Sequence, residues 1–212
     1  MTYEFDEGNT SSEAIGPFLN WHARETLDGE ISSRAFSVRT EDGRTDVTAQ
    51  MKKGVAIDLE SLRTGWCFSD GTPGIAPEWI WNDTPARFNV PQPADRGTER
   101  WKKGFSLRIA LTKDKAVTWS QAGAGSWAGL VTLMRSVGDD ERNQALNGNK
   151  RGKGETVIAA MVDVEEIKFK KGGTSAPIFT IKKWAPRPEC LDEKPVVEGI
   201  VEEVVEEFVD EF

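Results

Sequence analysis

Tryptophan next to lysine or arginine recurs along this chain. Trp101 lies between Arg100 and Lys102-Lys103, and Lys182, Lys183, Trp184 and Arg187 form a second group of the same kind. Trp79 and Trp81 stand two apart in the segment EWIWN, so in a strand they share one face. The combination has a chemistry. A cation neutralises a phosphate, and an indole stacks on a nucleobase of any sequence because every base has a π-face. A plainer reading competes with it, since the eight tryptophans of the chain also fill cores with large buried areas. Trp127, on an apolar helical stripe, takes the core reading. Phe105 lies on the apolar face of its strand and reads as core first, as a stacking ring second.

Further cations accompany these groups. Arg108 lies on the polar face of the 101–112 strand, Lys150, Arg151 and Lys153 lie in a glycine-rich segment, and Lys168, Lys170 and Lys171 flank a turn. Solvated hairpin tips would look the same. The run GNKRGKG at 148–154 has the wrong spacing for a P-loop and lacks the Ser or Thr after its Lys. The acidic pairs Asp139-Asp140 and Glu165-Glu166 read as ordinary surface. One histidine, His22, and two distant cysteines, Cys67 and Cys190, do not assemble a zinc site of the usual kind. No catalytic group, metal or cofactor is therefore expected, and the two cysteines suit a reducing compartment.

Charge is segregated. The 212 residues carry a net -8, and residues 191–212 alone hold nine acidic side chains against Lys194. The preceding 190 residues are neutral, and within them residues 100–190 carry 17 basic and 9 acidic side chains. A basic half followed by an acidic tail points to an anion-binding surface and a separate acidic segment. The low overall pI reflects the tail and does not argue against nucleic acid.

The elements that must position the basic and aromatic groups are mostly strands. Residues 33–40 alternate, with Arg34, Phe36 and Val38 on one face; 54–60 place Val55, Ile57 and Leu59 on one face, and 64–69 form a partner strand across a short connection. Residues 70–77 and 83–99 are loops, and 78–82 is a short aromatic strand. The clearest strand is 101–112, with Phe105, Leu107, Ile109 and Leu111 on one side and Lys102, Ser106 and Arg108 on the other. Trp127, Leu130, Val131 and Met134 recur at helical spacing, with Ser126 as the expected N-cap. Polar, glycine-rich 138–154 reads as loop, 156–169 and 177–184 as strands, and 170–173 as a turn. The expected architecture is mainly β, a small barrel with long loops and one amphipathic helix, in a domain over residues 1–190 followed by a flexible acidic tail over 191–212. No run of about 20 apolar residues is present for a membrane span. The N-terminal MTYEFDEGNT has neither the basic nor the apolar part of a secretory signal.

The tail EKPVVEGIVEEVVEEFVDEF repeats apolar pairs every four residues, which would give a helix one continuous Val, Ile and Phe face and an acidic back. Like-charge crowding and β-branched residues weaken such a helix alone, so the expectation is a segment that orders on a partner. Its candidate partner-binding residues are Glu206, Glu207, Phe208, Asp210, Glu211 and Phe212.

An acidic tail closing on Asp210-Glu211-Phe212, behind a β-rich body whose last strand reads PIFTIKKWAPRPE (177–189), resembles the phage-encoded single-stranded DNA-binding proteins. The resemblance implies an OB-fold, sequence-tolerant coating of single-stranded DNA in phage replication and recombination, and a tail that recruits replication proteins such as a polymerase or helicase. It also implies residence in the cytoplasm of a bacterial host. On this reading Lys102, Lys103, Arg108, Lys150, Arg151, Lys153, Lys182 and Lys183 neutralise phosphates, and Trp79, Trp81, Trp101, Phe105 and Trp184 supply stacking rings. The alternative is a non-enzymatic virion or assembly protein that docks through its tail; an RNA-binding protein is a third reading, and homodimerisation stays open. The tail's -8 imitates a nucleic-acid backbone, so deletion of 191–212 is expected to tighten binding to oligo-dT most at low salt, where screening is weakest. Equal affinities of the two forms at low salt in a fluorescence titration would count against that competition.

Overall fold

Alternating apolar side chains build the strands, and one buried cluster collects them. The computed structural model describes residues 17–40, 43–69, 76–85, 88–97, 100–148, 152, 154–170 and 172–192. Lys150, Arg151, Lys153, Lys171 and tail residues 193–212, including Glu206, Glu207, Phe208, Asp210, Glu211 and Phe212, lie outside these. The strands are β1 (Phe18–His22), β2 (Ala35–Thr40), β3 (Gly43–Asp46), β4 (Val55–Phe68), β5 (Glu78–Trp81), β6 (Lys102–Ala110), β7 (Ala116–Ala122), β8 (Glu155–Phe169) and β9 (Gly172–Pro186). Two helices, α1 (Thr48–Lys53) and α2 (Ala124–Leu146), and a 3-10 turn at Glu189–Leu191 complete the described chain.

The fold is mainly β. All nine strands join one sheet in the order β3-β2-β1-β7-β6-β4-β8-β9, with β5 added to β4. β1 pairs with β7 in parallel, and the other pairings are antiparallel. The expected small barrel is corrected here: among the described residues no pairing joins β3 to β9, so the sheet stays open at both ends. Phe105, Leu107 and Ile109 of β6 are fully buried, as their alternation requires, and Trp119 of β7 meets Phe105 and Phe36 edge-on at 4.7 and 5.3 Å. Leu19 and Trp21 of β1, Val157 and Met161 of β8, and Phe179 of β9 join the same cluster.

The segments 54–60 and 64–69, expected as two strands, lie in one: β4 runs unbroken from Val55 to Phe68, and its register with β6 breaks between Asp58 and Arg63. The bulge is built locally. The Asp58 carboxylate accepts the Glu60 amide at 3.2 Å, Ser61 Oγ donates to the Asp58 carbonyl at 2.7 Å, and the Arg108 amide donates to Ser61 Oγ at 2.8 Å. A bulge bends its strand and increases local twist, so residues 63–68 leave the line of 55–58. Asp58 is 2% exposed and takes a two-pronged ion pair from Arg187, with N–O distances of 2.6 and 2.7 Å. That carboxylate, ahead of a second one on Asp192, raises the Arg187 pKa further above its already basic range.

α2 also departs from expectation. Its buried face is Gly125, Ser126, Gly129, Leu130, Leu133 and Val137, whereas Val131 and Met134 are exposed and Trp127 is half-buried. The reason is steric. A Cβ on Gly125 would lie 2.4 Å from the Ser175 carbonyl, and one on Gly129 would lie 2.7 Å from the Pro177 ring, so the glycines are the helix's contact with β9. Thr132 and Ser136 then donate to the carbonyls of Pro177 and Phe179 at 3.0 and 2.8 Å. Ser126 is not the N-cap; that position is Gly123, and the helix runs on to Leu146 through residues expected as loop. Asp140 accepts from Gln144 at 2.6 Å one turn later, which supports the polar extension.

Truncating Arg187 to Ala leaves the buried Asp58 carboxylate unpaired and is expected to lower the unfolding free energy by about 3 kcal/mol. A urea titration of Arg187→Ala beside Asp58→Ala/Arg187→Ala checks this. The double variant should recover part of the loss, and equal losses would place the effect elsewhere.

Candidate nucleic-acid interface

Beyond its bulge, β4 carries β5 on one edge and the start of β6 on the other. Directly opposed residues of antiparallel strands share a face. The pairs Gly65↔Trp81, Cys67↔Trp79, Gly65↔Gly104 and Cys67↔Lys102 therefore place Trp79, Trp81 and Lys102 on one face. Trp66↔Ile80 and Trp66↔Lys103 place Trp66 and Lys103 on the other.

On the first face the Trp79 and Trp81 rings are parallel, 4.5 Å apart and inclined by 4°. Two facing glycines make this possible. A Cβ on Gly65 would fall 2.2 Å from the Ile80 carbonyl, and one on Gly104 would fall 2.7 Å from the Trp79 ring. The Arg63 guanidinium covers the Trp81 ring at 4.6 Å. Lys102, exposed beside Trp79, lines a recess of about 210 Å³ with Cys67, Ser120 and Ala122.

On the second face Lys103 Nζ sits 4.8 Å from the Phe88 ring and 5.9 Å from both Trp66 and Trp127. Phe88 meets Trp66 and Trp127 edge-on at 5.2 and 5.6 Å. Asn82 holds the Phe88 segment in place: its Oδ1 accepts the amides of Asn89 and Val90, and its Nδ2 donates to Thr64 Oγ1 at 3.0 Å. At the flank, Arg96 lies over Phe68 and Trp101 at 5.0 and 5.4 Å while forking onto Glu78.

Five of the eight indole N–H groups have an acceptor among the described residues. Trp21 donates to the Ser175 carbonyl, Trp66 to Val90, Trp101 to Ala94, Trp119 to Gln121 and Trp184 to Asp140. Buried indoles use their N–H in this way. Among the described residues no acceptor is seen for Trp79, Trp81 or Trp127, and all three are half-buried; Trp127 is packed against Phe88, whereas Trp79 and Trp81 face each other beside exposed Arg63 and Lys102.

The expected site residues are thus divided. Trp79, Trp81, Lys102 and Lys103 come together on the β4–β5–β6 projection. Trp101 is 4% exposed beneath Arg96 and Phe68, so its expected stacking role is corrected to packing. Phe105 is core, with no exposed surface. Arg108 is withdrawn from phosphate binding because its guanidinium donates to the carbonyls of Leu191 and Cys190 at 2.8 and 3.1 Å. Lys182 and Lys183 are exposed on β9, and Trp184 is tied to Asp140 across α2. Arg63, Trp66, Phe68, Phe88 and Arg96 were missed. The spacing Arg63-x-x-Trp66-x-Phe68 carried a signal, but Phe88 and Arg96 reach the site from loops that have no period. Among the described residues no group of three or more His, Cys, Asp or Glu is placed to hold a metal. His22 is hydrogen-bonded to Ser37 Oγ at 2.8 Å, and burial, ahead of the nearby Arg44, holds its pKa below the ordinary value. Among the described residues no helix is long and apolar enough to cross a membrane. No family model matches the chain, and neither a curated protein nor a solved structure does.

Burial pushes the Cys67 thiol from 9.0 up to about 11, against a smaller opposing pull from Lys102. A raised folded-state pKa contributes stability below the unfolded value that is lost as pH rises through the folded one. Denaturant midpoints are therefore expected to fall between pH 9.0 and about 11, and Cys67→Ala should flatten that fall. An unchanged slope in the variant would assign alkaline loss to other groups.

Proposed function

We propose that this protein binds single-stranded DNA without sequence preference. The Trp79–Trp81 stack carries the reading: two parallel indoles, the Trp79 ring over Gly104, with an arginine over the Trp81 ring and lysines on either side of the projection. A core indole needs neither an exposed cationic cap nor a side-chain-free floor. A stacking platform needs a flat ring and a nearby cation that turns from the ring to a phosphate when a base arrives. Arg63 and Trp81 have that relation. Lys102 and Lys103, exposed on the two faces, supply further phosphate contacts, and Lys182 and Lys183 add charge on β9.

The proposal extends to an OB-like core, a type of barrel that is itself partly open. β4 supports it, since this bent strand meets β6 and β8 through its first half and β5 and β6 through its second. It extends also to a role in phage replication and recombination in the cytoplasm of a bacterial host, with tail residues 191–212 engaging a polymerase or helicase. The protein acts by coating a strand, not by catalysis.

Titration with oligo-dT should quench tryptophan fluorescence, and log affinity should fall linearly with log salt at about 0.7 per phosphate neutralised. Trp81→Ala should cost about 1–3 kcal/mol of binding with the salt slope kept. Lys102→Ala/Lys103→Ala should reduce the slope instead. Duplex of equal length binding as tightly, or affinity indifferent to salt, would sink the reading.

A further inference from the structure

We propose that the cleft between the β1–β2 connection and the outer β8–β9 hairpin is a second phosphate subsite, which holds the backbone of a strand leaving the tryptophan stack. This rests on the single-strand reading above and lengthens its footprint. The cleft, about 440 Å³, is lined by Arg24, Arg34 and Lys168 with Glu166 as the one acid, and by the bare backbone of Gly172 and Gly173. Gly173 admits no side chain there, since a Cβ would fall 2.8 Å from the Ile167 carbonyl.

Arg34 is the residue that structure alone does not explain. Sequence alternation placed it in β2, but it precedes that strand with φ 61°, the one positive φ of a non-glycine residue among those described. Glycine adopts this conformation freely, and a long L side chain does not. The turn itself is held by the backbone, through the Arg34 amide donating to the His22 carbonyl at 2.6 Å, so it asks nothing of the side chain. The guanidinium pairs with Glu166, but the two side chains are 52% and 60% exposed, and such pairs add little stability. A cationic side chain kept in a strained backbone position, over a concave and mostly basic surface, points to an anion.

Its place in the sheet says which anion. Parallel pairing of β1 with β7, Phe18↔Thr118 and Leu19↔Trp119, carries the end of β1 toward Ala122. Ala122 opposes Gly104, the seat of Trp79. Trp21 then donates to Ser175, on the inner side of the cleft. The stack and the cleft therefore lie at one end of the sheet, and a phosphodiester chain that stacks bases at the first meets cations at the second.

The test uses the full-length protein and oligo-dT from about 4 to about 16 nucleotides, the range of single-strand site sizes. Arg34→Gly/Lys168→Gln should bind the longest oligonucleotide about fivefold more weakly, with a salt slope smaller by about 0.7 per phosphate lost. The shortest should bind as to wild type. Glu166→Gln, which frees the cations, should bind the longest a few-fold more tightly. Arg34→Gly alone should keep or raise the thermal midpoint. If Arg34→Gly fails to fold, Lys168→Gln and Glu166→Gln, both on exposed residues, still carry the test through their opposite signs. Wild-type affinity and slope in these variants at every length would overturn the subsite while leaving the stacking platform standing. Failure of wild-type protein to bind any length would overturn both readings.

Discussion

The ion pair of Asp58 with Arg187 is where the body of the protein and its candidate site meet. Asp58 lies at the inner end of the β4 bulge, and its carboxylate receives the Glu60 amide and both prongs of Arg187. A carboxylate at 2% exposure is tolerable only with such partners, because an unpaired buried charge costs several kcal/mol. The pair fastens two things. It holds the bulge, which turns 63–68 out of line and so presents β5 and the start of β6. It also fastens residues 187–192, with Arg187 reaching Asp192 and the Leu191 carbonyl and Arg108 reaching Cys190 and Leu191. Two arginines of sequence-level interest thus serve the fold, and Leu191, assigned by composition to the tail, is buried.

The projection that this bend presents is stabilised by the features that suit it to stacking. Cations over rings hold Arg63, Arg96 and Lys103 near the aromatic groups without buried carboxylates to neutralise them. Each such contact at a partly exposed site is worth about 0.5–1 kcal/mol, an amount that, on the proposed reading, an incoming base and phosphate would replace. Arg96 is the exception, since its fork onto Glu78 commits it to the flank. Residues that keep a weak partner are the ones positioned to exchange it.

Local period made much of the strand content legible, and the context-dependent parts were not. β6 and the inner half of β4 follow from alternation, and β8 from its β-type composition. β7 escaped although Val117 and Trp119 alternate with polar residues, because Thr, Ser and Gln dilute the pattern. The α2 face was misjudged because its contact surface is glycine: Gly125 and Gly129 touch β9 by what they lack, and a search for apolar side chains slides to Val131 and Met134. The bulge reads in the sequence as a short connection between 60 and 64, because its partners Arg108 and Arg187 come from 47 and 129 residues away. The tryptophans are recognisable as a group, but which indoles are hydrogen-bonded into the fold depends on which oxygens reach each N–H. Spacing holds no such information.

One topological choice brings the basic groups to the same end of the molecule. Every pairing in the sheet is antiparallel except β1 with β7, and a parallel pair needs a long crossover that hairpins do not. Here the crossover between β1 and β7 contains β2 through β6. Were β1 antiparallel to β7, His22 and the following Arg24 would lie at the opposite end of the sheet from Ala122 and Gly104. Parallel pairing instead sends both strands toward the β4–β5–β6 projection. The Trp21 amide closes on Gln121 Oε1 at 2.9 Å there, and the Gln121 amide returns to the Trp21 carbonyl at 2.8 Å. Gln121 also accepts the Trp119 N–H at 3.1 Å, so one side chain locks both strand ends to the core. The rings of β5 and the arginines after β1 are therefore held at one end of a common sheet although more than 50 residues separate Arg24 from Trp79. On the proposed single-strand reading, a nucleic-acid strand crossing that end would meet groups already brought together by the fold, which lowers the ordering cost of binding.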